Sequence, residues 1–256
     1  MTNITCDQNQ LTSLDVSMLP VLVVVDCRTN LLTSLNVNNG NNSNFINFQA
    51  NGNPALTCIK VDNVAYSNTN WSAGKDAGAI FSTDCSCLVN IPDPAFKAAL
   101  LANALINTNS DGAIQCSEAA AYTDAINVAS LGITDLTGIE AFVNLTSLSC
   151  NNNALTAINL SFNTALTTLN ISNNPLSSGI DLSANTALTE LYANNNNLSS
   201  INVAANTALT LLSVNSNTLS ALDVSANTAL LYLYCSSNGL NSLTLTNNIN
   251  LQELIC

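Results

Sequence analysis

Six-residue segments with one alternation of apolar and polar positions recur through the second half of the chain. They read LTSLSC from Leu145, LTTLNI from Leu166, LTELYA from Leu188, LTLLSV from Leu209, LLYLYC from Leu230 and LQELIC from Leu251, at spacings of 21, 22, 21, 21 and 21 residues. Positions one, four and six favour apolar residues, whereas positions three and five vary. A period of two over so short a run predicts a strand with four and six facing inward and three and five facing out.

The remainder of each coil is equally regular. Asn stands at position nine (Asn153, Asn174, Asn196, Asn217, Asn238) and Leu at position eleven (Leu155, Leu176, Leu198, Leu219, Leu240). A second apolar pair closes the coil, as in Ile201 with Val203 and Leu222 with Val224. The frame also governs the start of the chain: MTNITC, LVVVDC and FINFQA, from Met1, Leu22 and Phe45, lead to Asn9, Asn30 and Asn53. One coil cannot bury its own leucines, but a stack of at least about three can. Stacked strands would lie ~4.8 Å apart in a parallel sheet. The position-nine amide would then bond backbone groups of adjoining coils, making an asparagine ladder.

The motif LxxLxCxxNxL resembles the leucine-rich repeat family. The 21-residue form with LTSLDVS and ANTAL is similar to its secreted or surface-attached bacterial members, including internalin-like proteins. The resemblance implies an α/β-type solenoid, mostly β and loop, with a parallel β-sheet on its concave face and small helical caps. It also implies a place outside the cell and non-catalytic recognition or adhesion, through protein or surface glycan ligands on the concave sheet.

The repeat lapses between about 56 and 144, which predicts two arrays. Residues 1–87 are expected to form the end of a first array, with 56–87 as its closing cap and the Trp71 ring covering its last coil. Residues 88–144 are expected to form a helical cap and an atypical first coil (132–144), and residues 145–256 the second array. Asp93 suits an N-cap and Pro94 the first helical position of a helix within 91–106. Phe96, Ala99, Leu100 and Ala104 share one face at helical spacing, widened by Leu101 and Leu105. A second helix is expected from Ser117. The array stops mid-coil at Cys256 and would leave an open strand edge. The chain therefore reads as a fragment of a larger protein whose signal peptide lies upstream.

Between these helices, NTNSDGAIQCSE follows the calcium-binding helix–loop–helix pattern. Asn107, Asn109, Asp111, Ala113 (through its carbonyl), Gln115 and Glu118 occupy ligand positions 1, 3, 5, 7, 9 and 12, and Gly112 the bend. With two formal negative charges among them, calcium would bind weakly, around 10⁻⁴–10⁻³ M. A metal-free turn is the alternative. No other cofactor is expected.

Composition removes several functions. The net charge is −12, and the only cations are Arg28, Lys60, Lys75 and Lys97. A phosphate backbone or an anionic membrane surface would find too few cations to pair with, and none after residue 97. No apolar run reaches the ~18 residues of a membrane span. There is no His, so Ser–His and Cys–His nucleophile pairs are absent. Glu190 and Glu253 would sit three coils apart, ~14 Å by strand spacing, too far for a glycosidase pair. No enzyme is expected.

Cys6, Cys27, Cys150, Cys235 and Cys256 share position six with Ala50, Ile171, Ala193 and Val214. That sharing predicts buried thiols acting as small hydrophobes. Of the rest, Cys58 with Cys85 is the expected disulfide, and Cys87 with Cys116 a possible second. Positions three and five supply the candidate ligand face. The later coils place Glu190, Tyr192, Leu211, Tyr232 and Tyr234 there, and exposed tyrosines often anchor interfaces. Two alternatives stay open: spacer repeats whose outward residues only favour strands, and an ice-binding array built on the repeated threonines.

Overall fold

The computed structural model describes residues 1–85, 87–177 and 179–256. They form two compact units: residues 1–88 with 107–115, and residues 89–106 with 116–256. The stretch 107–115 thus packs within the first unit.

In the first unit each coil carries two strands. β1 (Asn3–Thr5), β3 (Val24–Asp26) and β5 (Asn47–Gln49) pair in parallel in the order β1-β3-β5. The return segments pair as well: β2 (Ser13–Asp15), β4 (Ser34–Asn36), β6 (Cys58–Lys60) and β7 (Ile80–Ser82) make a parallel sheet in that order. Inward residues from both sheets, among them Val25, Phe48, Leu35, Ile59 and Phe81, fill the space between them. The second sheet was not foreseen. Its x-Leu-x-Val pattern is visible in the sequence, but nothing local says that successive returns come close enough to pair.

The expected closing cap is partly a continuation of the stack. Residues 56–87 contribute β6 and β7, and between them a helix, α1 (Val64–Trp71), capped by the Asn63 side chain accepting from the Tyr66 N–H. Trp71 is 5% exposed and stacks on Phe48 at 4.7 Å between centroids, with Phe45 at 5.2 Å. The ring therefore does cover the last coil. The free edge of β5 is closed by the turn after α1, where the Gly74 carbonyl accepts the Ala50 N–H at 2.6 Å. A Cβ at Gly74 would lie 2.4 Å from the Phe48 carbonyl oxygen, so only glycine lets the two backbones approach this closely. A disulfide joins Cys58 to Cys85, with Cα atoms 5.7 Å apart.

The second unit starts with α2 (Pro94–Leu101) and α3 (Cys116–Ala121). Asp93 caps α2, its Oδ1 accepting the Ala95 and Phe96 N–H groups at 3.0 Å each. Its Oδ2 accepts from the Thr134 N–H and hydroxyl at 2.9 and 3.1 Å. One carboxylate thus ties the helix start to the first coil. α2 stops at Leu101 and does not run to 106. Asn103 opens a turn instead: its side-chain oxygen accepts the Leu105 N–H and its carbonyl the Ile106 N–H. Ala104 and Leu105 are consequently exposed, while Phe96 and Leu100 are buried.

Seven parallel strands follow in chain order: β8 (Ala125–Asn127), β9 (Ser147–Ser149), β10 (Thr168–Asn170), β11 (Glu190–Tyr192), β12 (Leu211–Ser213), β13 (Tyr232–Tyr234) and β14 (Glu253–Ile255). β8 puts a strand ahead of the atypical coil read at 132–144. Ile126 and Val128 fill positions four and six, but Thr123 holds position one, which hides the coil from a search for leucines. Leu148, Leu169, Leu191, Leu212 and Leu233 are in register and fully buried.

Position nine forms the expected ladder. Asn174 Nδ2 donates to the Cys150 and Ile171 carbonyls (3.0 and 2.9 Å), and its Oδ1 accepts the Leu155 N–H. Asn217 bonds the same way to Ala193 and Val214 and accepts from Asn196 and Leu198. A second ladder, which the repeat reading passed over, runs through the Asn of the N-T-A-L turns. Asn185 donates to the Leu160 and Asn163 carbonyls, and Asn206 and Asn227 repeat this one and two coils on. Both ladders answer one need: turn carbonyls sealed between coils have no water to bond and must find a donor.

Candidate recognition face

The open face of the seven-stranded sheet is set by strand alternation. With Leu191, Leu212, Leu233 and Leu254 turned to the core side, positions three and five stand outward. Register aligns Glu190, Leu211, Tyr232 and Glu253 in one row and Tyr192, Ser213, Tyr234 and Ile255 in the next. The five residues expected to make a ligand face, Glu190, Tyr192, Leu211, Tyr232 and Tyr234, thus lie on three consecutive strands, each partly buried.

Their polar ends are ordered. The Tyr192 hydroxyl donates to Glu190 Oε2 at 3.2 Å, and the Tyr234 hydroxyl to Glu253 Oε2 at 3.1 Å. Tyr232 reaches Gln252 Oε1 at 3.3 Å. Partial burial pushes the Tyr192 phenol above its usual range, aided by the charge and hydrogen bond of Glu190. Tyr234 is pushed the same way, by loss of hydration and by Glu253. Both phenols stay neutral and act as donors at physiological pH. Each carboxylate is thereby held beside a tyrosine ring. Glu253 stands in the outward row of position three but was left out of the expected ligand face, as was Gln252; register between coils is what joins them to Tyr234 and Tyr232. Leu211 and Tyr232 separate Glu190 from Glu253 along the row.

The threonines are placed differently. Position-two hydroxyls donate along the stack: Thr146 to the Thr123 carbonyl, Thr167 to Thr146, Thr189 to Thr167 and Thr210 to Thr189, at 2.9–3.1 Å. Their protons are used in holding coils together. The N-T-A-L threonines Thr164, Thr186, Thr207 and Thr228 are exposed on the turns.

The loop with the calcium-binding spacing is closed on itself. Asn109 Oδ1 accepts the Asp111 N–H, Asp111 Oδ1 the Ala113 N–H, Asp111 Oδ2 the Gln115 side chain, and Gln115 Oε1 the Asn109 side chain, at 2.7–3.0 Å. Gln115 also donates to the Ser82 hydroxyl at 3.3 Å. Asn107 is buried, and Glu118 lies in α3 of the second unit. Oxygens at positions 3, 5 and 9 are therefore accepting hydrogen bonds within the loop. Among the described residues, no three His, Cys, Asp or Glu side chains gather where they could hold a metal ion.

Of the position-six cysteines, Cys27, Cys150 and Cys235 are buried free thiols, Cys6 is half-buried and Cys256 exposed. Burial pushes Cys27 and Cys150 up to about 12, with the neighbouring Cys6 and Asp26 adding to the effect at Cys27. No described helix is long and apolar enough to cross a membrane.

No family model and no curated protein matches the chain. Among solved structures, it is similar to internalin C2 of Listeria monocytogenes, with 24% identity and a TM-score of 0.53 over 62% of this chain and 70% of that one. It is also similar to the internalin inlF of the same organism, with 31% identity and a TM-score of 0.54 over 64% of this chain and 49% of that one. The chain thus spans about half the length of the inlF structure. The stacked parallel strands, the leucine core, the asparagine ladder and these two likenesses agree: the chain has a leucine-rich repeat fold similar to that of bacterial internalins.

Proposed function

We propose that the chain is a non-catalytic recognition module, secreted or held at the cell surface, that binds a protein ligand on the open face of β11–β14. One observation carries this reading: Tyr192, Tyr232 and Tyr234 stand on two adjacent register rows of one sheet, beside Leu211 and two carboxylates. Tyrosines present large contact area at low conformational cost and are enriched where proteins meet. A surface glycan is the other ligand class this face would suit.

The test is a binding screen of the purified chain on arrayed extracellular proteins and glycans, repeated with Tyr192→Ser/Tyr234→Ser. A ligand of this face loses about tenfold or more in affinity with the double variant. Unchanged binding rejects the face, and no binding by either form favours spacer repeats. A thermal-hysteresis measurement addresses the threonine array, for which no activity is expected.

For the 107–118 loop the hydrogen bonds favour a metal-free turn. Calcium at about 10 mM is expected to leave the Tm unchanged; millimolar binding would instead stabilise the fold by about 1–2 kcal/mol, a rise of a few degrees.

A further inference from the structure

The chemistry of the face narrows its ligand. Leu211 and Tyr232 lie between Glu190 and Glu253 in one row. Tyr192 and Tyr234 each donate a hydroxyl to one of these carboxylates, through Oε2 in both cases. From residue 98 to the end the chain has nine Asp and Glu and no Lys or Arg. No cation in this part of the chain can neutralise the pair, and the surrounding field is negative throughout. A neutral sugar would use the two carboxylates only as hydrogen-bond acceptors and gain nothing from their charge, and an acidic ligand would be repelled. A cation gains at each point from a carboxylate that a tyrosine hydroxyl holds in place.

Resting on the recognition reading above, we propose that this face binds an extended basic segment of a partner protein, with two Arg or Lys side chains spaced to meet Glu190 and Glu253. Three strand spacings separate these carboxylates, ~14 Å. An extended chain advances ~3.3 Å per residue, so the two cations stand about four residues apart and point the same way. Leu211 and Tyr232, between the anchors, offer apolar surface to the methylene stems, as long basic side chains prefer. Tyr192 and Tyr234 act as positioning residues, aiming the carboxylates.

The probe is a short serine-based peptide carrying two arginines separated by three residues, titrated into the full chain at low and at physiological salt. Peptides with glutamine or glutamate in place of arginine serve as controls. The arginine peptide is expected to bind at least about tenfold more tightly than the glutamine one and to weaken as salt rises. Glu190→Gln and Glu253→Gln, with unchanged Tm, are each expected to cost about threefold or more. Equal binding of the glutamine peptide, indifference to both Gln substitutions, or no arginine-peptide binding at millimolar concentration overturns the inference. The outcomes also separate the two readings. If Tyr192→Ser/Tyr234→Ser abolishes capture of a protein from the array while both Gln variants retain it, the face stands and the basic ligand falls. If the tyrosine variant retains capture, both fall.

Discussion

Asparagine is the residue on which this fold turns. At position nine an amide can serve two coils at once, because its Nδ2 reaches two carbonyls while its Oδ1 accepts a backbone N–H. Asn217 makes all of these bonds. Asn196 keeps the acceptor half, from the Asn174 N–H, but its buried Nδ2 has no partner. Asn217→Ala is therefore expected to cost about 2–4 kcal/mol, since it strands buried groups of the neighbouring coil, and Asn196→Ala clearly less. Urea unfolding of the two variants decides this, and equal losses would mean that the ladder bonds are not what stabilises the turn. The buried thiols give a second prediction at this scale. Cys27 and Cys150 have folded values near 12 against an ordinary 9.0. Their neutral forms are favoured by folding, so stability is intact below pH 9 and drains away as pH climbs from 9 towards 12. At pH 10 the loss is on the order of 1 kcal/mol per thiol. Cys150→Ala should flatten this alkaline decline, measured by urea unfolding at pH 8 and pH 10.

Among the elements, the helix that opens the second unit depends most on one side chain. Burial opposes the Asp93 charge, but hydrogen bonds from Thr134, Phe96 and Ala95 outweigh it and hold the carboxyl below its usual range. Its stabilising effect is complete above the ordinary carboxylate range and is lost as pH falls through the lowered value. Asp93→Ala removes the cap and the tie to Thr134 together and is expected to cost about 2–3 kcal/mol. Asp93→Asn should recover part of that, and the comparison by thermal melting tests whether the charge or only the geometry matters. This cap was readable from Asp93-Pro94 because capping is local. The end of α2 was not. The apolar spacing continues through Ala104 and Leu105, and only the turn at Asn103 shows that the helix has already stopped. Helix α1 was also missed, for its residues carry little amphipathic pattern and it is fixed by Trp71 packing on Phe45 and Phe48.

Over the whole molecule, the repeat makes each unit a sum of similar coils, each resting on its neighbours. Excising residues 209–229 removes one coil and rejoins Ala208 to Leu230 in frame. That variant should keep its strand signal in circular dichroism, with a modestly lower Tm, because Leu191 then meets Leu233 in register. Excising 209–224 breaks the frame and should abolish cooperative unfolding. Similar behaviour of the two deletions would contradict the coil-by-coil account. Removing the 21 residues also brings Glu190 one strand closer to Glu253, which should abolish binding of a ligand that spans them.

By itself the sequence determined the period, the inward leucines, the recurring asparagines at position nine and the polarity of the sheet face, because each is visible within a single coil. Only the tertiary structure decided the second sheet of the first unit, the second asparagine ladder, the packing of 107–115 with that unit, and the pairing of Tyr234 with Glu253. These all join residues about one coil or more apart. Whether their atoms meet depends on how closely coils stack, and no local pattern encodes that distance.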